Sequence, residues 1–220
     1  MGIEDMHKLF RALGQQMGMQ QVRAILPATI DSYINTSINI KVRNLLIQNT
    51  NVDFESRMVV RREEIIPINA LRTLYKEEEK ANLVVGSNIT INTDLMVLLG
   101  VSIKYNGEIK RYGCRLIDNI ELENTLNDYC NGPYKEHPIA NLYGDRIRMY
   151  FGNYNPSGYT AYIKYIKQPA IVKLSEDSSV PSVDCDLPEY LHIEIVDTAV
   201  KKFFESVGYT TPQTKQQNQN

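Results

Sequence analysis

The apolar residues of this chain change their spacing twice, and a sequence that does so cannot fold as a single kind of layer. Up to about residue 82 they recur in three- and four-residue steps, from Leu83 in steps of two, and after Asp186 again in helical steps. Ile3, Met6, Phe10, Leu13 and Met17 place a first helix, which Gly14 and Gly18 weaken by about 1 kcal/mol each. A second helix begins near Pro27, a residue suited to a first turn because its missing N–H has no partner there anyway. Ile30, Ile34, Ile38 and Leu45, with Val42, form its apolar ridge. Asn35, Thr36, Ser37 and Asn39 are poor helix formers, so packing must hold this helix. Asn49 to Asn51 reads as a turn, and Phe54 to Ile66 is an Arg- and Glu-rich stretch closed by Pro67. A third helix is expected over Ile68 to Lys80, its run Glu77-Glu78-Glu79-Lys80 forming a solvated face.

The middle of the chain carries strand signals. Leu83-Val84-Val85 and Ile89-Thr90-Ile91 are short strands about Gly86. Asp94 to Tyr105 and Glu108 to Leu116 flank Asn106-Gly107, a pair suited to a type I′ hairpin, whose two central residues need positive φ. Asp118 and Glu121 form a capping box for a helix from Asn119 to about Tyr129, ended by Gly132-Pro133. A second hairpin is expected from Ile147, Met149 and Phe151 on one arm and Tyr159, Ala161, Ile163 and Tyr165 on the other. Lys173 to Asp184 is a polar connector. Asp186 and Glu189 cap a last helix with Ile193, Val196, Val200, Phe203 and Val207 on one face, and Gly208 stops it. The polar residues that follow have little to bury, and disorder is expected of them in isolation. The expected fold is α+β: terminal helices forming a helical bundle, with an antiparallel β region carrying one inserted helix between them. The parts are 1–82 (helical), 83–172 (β region with inserted helix), 173–208 (connector and C-terminal helix packing on the N-terminal helices) and 209–220 (polar tail).

Composition narrows the function. With 43% hydrophobic and 23% charged residues the chain is a globular protein. Lys and Arg number 24 against 26 Asp and Glu, a net charge of −2, whereas a protein that grips duplex DNA carries a basic excess. Three dispersed cysteines, Cys114, Cys130 and Cys185, suit neither a disulfide framework nor a zinc site, and point to a reducing place of synthesis. Apolar runs such as Met96 to Leu99 fall far short of about 18 residues, so no membrane span and no membrane partner is expected.

No catalytic constellation is visible. His7 has only Glu4 near it on its helix, His137 precedes Pro138 in a loop, and His192 reads as a solvated partner of Glu189 and Glu194. Asp186 is better explained as a cap than as a metal ligand, and Cys185 as a small buried hydrophobe. Nucleophile-elbow, phosphate-loop and dinucleotide motifs are absent, and Glu121 and Glu123 fall on different helix faces. An enzyme is not expected, nor a cofactor or metal. Fourteen tyrosines stand against five phenylalanines and no tryptophan. Tyr143, Tyr150, Tyr154, Tyr159, Tyr162 and Tyr165 cluster about the second hairpin, where they serve either strand packing and subunit contacts or base stacking. The alternative function is therefore a nucleic-acid-binding module using a Tyr-rich β-hairpin.

Two segments carry a resemblance. Tyr162-Ile163-Lys164-Tyr165-Ile166-Lys167-Gln168-Pro169-Ala170-Ile171 is followed, across an acidic connector, by Cys185-Asp186-Leu187-Pro188-Glu189-Tyr190-Leu191-His192-Ile193-Glu194-Ile195-Val196-Asp197-Thr198-Ala199-Val200. Together with Ile25 to Asp31, they resemble the head–tail connector proteins (ring or adaptor, tail tubular protein A-like) of short-tailed, crAss-like bacteriophages. The resemblance implies a virion protein made in the host cytoplasm and assembled at the head–tail junction. It would form a homo-oligomeric ring, a dodecamer, between the portal protein and adjacent tail or ring proteins, with DNA passing through the lumen without specific binding. The residues expected at contacts between copies are Ile30, Ile34, Ile38, Leu45, Tyr162, Tyr165 and Phe203. Ile38→Asp is expected to block assembly.

Overall fold

A computed structural model of the chain describes residues 1–17, 25–49, 51–53, 58–61, 69–175 and 181–207. Most of Phe54 to Ile66, Gly18, Gly208 and the polar tail lie outside them, as does the middle of the connector. The fold is mixed α and β, with four α-helices and two sheets among the described residues. None of these helices is long and apolar enough to cross a membrane. The chain divides into two compact units: residues Met1–Leu46, Pro67–Thr73 and Pro169–Asn220 in one, Ile47–Ile66 and Leu74–Gln168 in the other.

The first unit is helical. Helix α1 (Ile3–Gln16) buries Ile3, Met6, His7 and Phe10, while Met17 is left exposed. Helix α2 (Pro27–Asn49) buries Ile30, Ile34, Ile38, Val42 and Leu46. The buried row thus keeps four-residue steps to Leu46 and leaves Leu45 half-buried. Such a row is what one helix inserts between the ridges of another. The poor helix formers of α2 are accommodated by back-bonding: Thr36 Oγ1 donates to Ser32 O and Asn39 Nδ2 to Asn35 O. Helix α4 (His192–Ser206) follows a 3-10 turn, Glu189–Leu191, and buries Ile195, Val196, Ala199, Val200, Phe203 and Phe204. Phe203 joins the three helices, its ring standing edge-on to Phe10 at 5.9 Å and to Tyr33 at 5.3 Å. Such ring pairs add roughly 0.5–1.5 kcal/mol beyond their burial.

Two expectations for α4 are corrected. Ile193 and Val207 are exposed, because the buried stripe runs through Ile195, Val196 and Ala199 instead. Asp186 does not cap the helix, since the 3-10 turn intervenes and Asp186 Oδ2 accepts from Ala170 N–H. The neighbouring Asp184 caps a different helix: its Oδ1 accepts from Ile3 N–H at 2.7 Å, setting a carboxylate on the positive end of α1.

The second unit is a pair of sheets. One has the order β1 (Asn51–Asp53), β2 (Met58–Arg61), β5 (Leu95–Tyr105), β10 (Tyr159–Lys167), β3 (Tyr75–Leu83), with β6 (Tyr112–Gly113) also on β5. The other has the order β4 (Ile89–Thr90), β9 (Arg146–Tyr150), β8 (Ile139–Tyr143), β7 (Arg115–Ile117). Pairing is antiparallel except for β2 with β5 and β7 with β8. Helix α3 (Asn119–Asn127) connects the parallel pair β7 and β8, the place expected of the inserted helix. Asp118 caps it, its carboxylate accepting from Asn119 N–H. The core draws on both sheets: Val101, Ile103, Tyr159, Ile163 and Tyr165 from one, Ala140, Leu142, Ile147 and Met149 from the other.

Two expectations fail here and a third holds only in part, each for an identifiable reason. The helix over Ile68 to Lys80 is instead a 3-10 turn (Asn69–Leu71) and β3, which pairs with β10 from Tyr75 opposite Ile166 to Leu83 opposite Tyr159. As an edge strand it exposes both faces, so Lys76 to Lys80 show no apolar alternation, and pairing with β10 overrides their helical propensity. After Asn106-Gly107 the chain rejoins β5 only at Tyr112 and Gly113, and its next strand, β7, enters the other sheet. Gly107 alone takes positive φ (83°) in that turn, and Glu108 N–H bonds Tyr105 O, a type II arrangement rather than I′. The second hairpin does not form. β9 pairs with β8 and β4, β10 with β5 and β3, so the two arms belong to different sheets.

Candidate interaction surfaces

Six of the seven residues expected between copies lie inside a single copy. Ile30, Ile34 and Ile38 are at most 2% exposed, and Tyr162, Tyr165 and Phe203 are buried as well. Leu45 is half-buried. The apolar ridge of α2 is covered within its own helical unit, because residues remote in sequence, Phe10 and Phe203 among them, complete that core. These side chains shape a surface from beneath and do not present it.

The ionisable groups are built into the packing. His7 Nε2 lies 2.7 Å from Asp31 Oδ1, a pair that sequence spacing did not bring together. A base oriented by a carboxylate is half of a hydrolytic triad. Here both residues are buried, the Asp31 carboxylate also accepts from Leu174 N–H, and His7 Nδ1 has no partner. The pair ties α1, α2 and the segment after β10 together, and it presents no nucleophile. His192 is not solvated: it is 3% exposed, with Nε2 2.8 Å from Leu187 O and Nδ1 3.0 Å from Met1 O. Cys185 is part-buried, and burial pushes its thiol above the usual range, which makes it a poor nucleophile. Among the described residues no three His, Cys, Asp or Glu side chains converge as metal ligands.

Three of the clustered tyrosines, Tyr159, Tyr162 and Tyr165, are buried. Tyr159 and Tyr165 are fully buried, and burial pushes the Tyr159 phenol up to about 12. The Tyr162 ring is covered by the Arg111 guanidinium, whose Cζ lies 3.5 Å from the ring centroid and whose Nη1 donates to Glu77 at 3.0 Å. Tyr143, half-exposed on the other sheet, lies against Arg148.

Among its charged surface residues the helical unit also presents apolar ones. Ile171 is 78% exposed, yet both its neighbours are fixed: Ala170 N–H donates to Asp186, and Val172 exchanges two hydrogen bonds with Asn35. Tyr190 and Ile193 are 65% and 63% exposed on either side of the buried Leu191 and His192. These side chains stand on backbone that is already ordered, so covering them costs little further entropy. No model of a known protein family matches this chain, and no curated protein is detectably similar to it.

Proposed function

We propose that this chain is a virion structural protein, a subunit of an oligomeric ring that joins the portal to the tail of a short-tailed phage around the DNA channel. The observation that carries this reading is the exposure of Ile171, Tyr190 and Ile193 on fixed backbone. All three fall in the two segments that resemble connector proteins, and an anchored apolar side chain is what a subunit contact requires. In this reading α1, α2 and α4 form a bundle whose outer surface meets the next copy, and head-to-tail contacts close the ring. The near balance of 24 basic and 26 acidic residues suits a lumen through which DNA slides without being held.

The test is mass spectrometry of purified particles together with electron microscopy of the isolated protein. The expected result is the chain in mature virions and closed rings on the grid. A protein that is absent from particles and monomeric on the grid would overturn the proposal.

A further inference from the structure

Three features of the β unit coincide at one place. First, β7 is the edge of its sheet. Arg115 N–H bonds Pro138 O at 2.9 Å, and Arg115 and Ile117 stand opposite Ile139 and Asn141 of β8. Successive peptide groups of a strand point to opposite sides, so the Leu116 N–H and C=O point away from the sheet. Second, those groups open on a groove of about 490 Å³ lined by Arg115, Leu116, Glu121, Asn124, Asp128 and Asn131. Third, no side chain of α3, the wall of that groove, is fully buried: Leu122, Thr125 and Leu126 are half-buried, and Ile120 is 85% exposed. A nine-residue helix is marginal without packing, so one whose side chains are at most half-buried has contact surface to spare.

We infer that this groove receives an extended segment of a neighbouring copy, the residues that follow Val207, added as a strand along the free edge of β7. The chemistry of the groove selects that occupant. The Arg115 guanidinium donates to Asn131 O, and Asn131 Nδ2 donates to Asp128 Oδ2 at 2.6 Å. Among the described residues the Glu121 carboxylate and the Asn124 amide have no hydrogen-bond or ion-pair partner. The groove is therefore net acidic and rich in amide groups. Residues 208–220 are Thr-, Gln- and Asn-rich with Lys215 as their single charge. Main-chain hydrogen bonds to Leu116 supply affinity in such an addition, and Lys215 meeting Glu121 supplies register. The inference rests on the ring reading only in taking the neighbour to be a second copy.

Cys130 provides the test. It is exposed, its N–H is held by Asp128 Oδ1 at 2.8 Å, and it adjoins Asn131 at the groove. A full-length donor carrying Thr214→Cys and Cys130→Ser is mixed with unmodified full-length acceptor and treated with a short bismaleimide. Peptide mapping should join the introduced thiol to Cys130 of the acceptor, a link that can only run between copies. Glu121→Lys in the acceptor should cut its yield by about tenfold, and Glu121→Gln by less, as expected when about 1.4 kcal/mol of attraction is lost. No link to Cys130, or a link indifferent to Glu121→Lys, overturns the inference. Rings without the link overturn the docking and leave the ring reading intact; the link without rings does the reverse.

Discussion

Asn35 and Val172 exchange two hydrogen bonds, Asn35 Nδ2 donating to Val172 O and Val172 N–H donating to Asn35 Oδ1, each at 2.9 Å. A side-chain amide in the middle of α2 thus imitates a strand neighbour and holds the segment that leaves β10. An asparagine that local propensity disfavours is kept there for a tertiary reason. Asn35→Leu leaves both backbone groups of Val172 without partners. Urea denaturation should show a loss of about 1–3 kcal/mol, and the Val172 amide should lose its protection from hydrogen exchange.

Ile38 is 2% exposed in the helical core. Ile38→Asp would bury a carboxylate at a position closed to solvent, so it acts on the fold before it acts on assembly. Circular dichroism and urea melts should show a loss of about 3–5 kcal/mol or an unfolded helical unit.

Gly152 has φ of +60°, and a Cβ there would come within 2.1 Å of Pro133 O, a backbone atom that cannot swing aside. Gly152→Ala therefore combines left-handed backbone strain of roughly 1–2 kcal/mol with a steric overlap. It should lower the melting temperature of the protein by more than Gly144→Ala, where φ is also positive (62°) but the space is open.

Asp94 accepts from Lys76 Nζ at 2.8 Å and from Tyr165 Oη at 3.3 Å. The Lys76 hydrogen bond, reinforced by its charge, holds the Asp94 carboxyl below its usual range, while partial burial opposes that shift. A carboxylate whose pKa is lower folded than unfolded stabilises fully above the unfolded value of about 3.9 and loses that contribution as pH falls through the folded value. Asp94→Asn should accordingly flatten the acid limb of a stability–pH profile below about pH 4. The change near pH 7 should be small, since the pair is part-exposed and screened.

Helices α1, α2 and α4 were legible because each carries a repeated apolar stripe, and β5 and β10 because alternation and length agree. β3 was not legible: an edge strand exposing Lys76 to Lys80 on both sides leaves no apolar signature, and only its partner β10 makes it a strand. The false second hairpin has a related cause. Arg146–Tyr150 and Tyr159–Lys167 are both sound strands, but their sheet is chosen by β8 and β5 rather than by the turn between them. The His7–Asp31 pair and the Asp184 cap of α1 join residues far apart in the chain, which periodicity cannot reveal. Ile193 lay on the apolar face read for the last helix, and nothing in the sequence set Ile171 and Tyr190 apart as exposed.

The mass distribution of the purified protein, measured for the natural sequence and for Tyr190→Asp with Ile193→Asp, tests the central claim most directly. Both side chains are exposed, so the double variant should keep its secondary structure by circular dichroism. The account predicts a closed multi-subunit species for the natural sequence and a shift to monomer in the variant. A natural protein that stays monomeric at every concentration, or a variant that assembles as well as its parent, would contradict it.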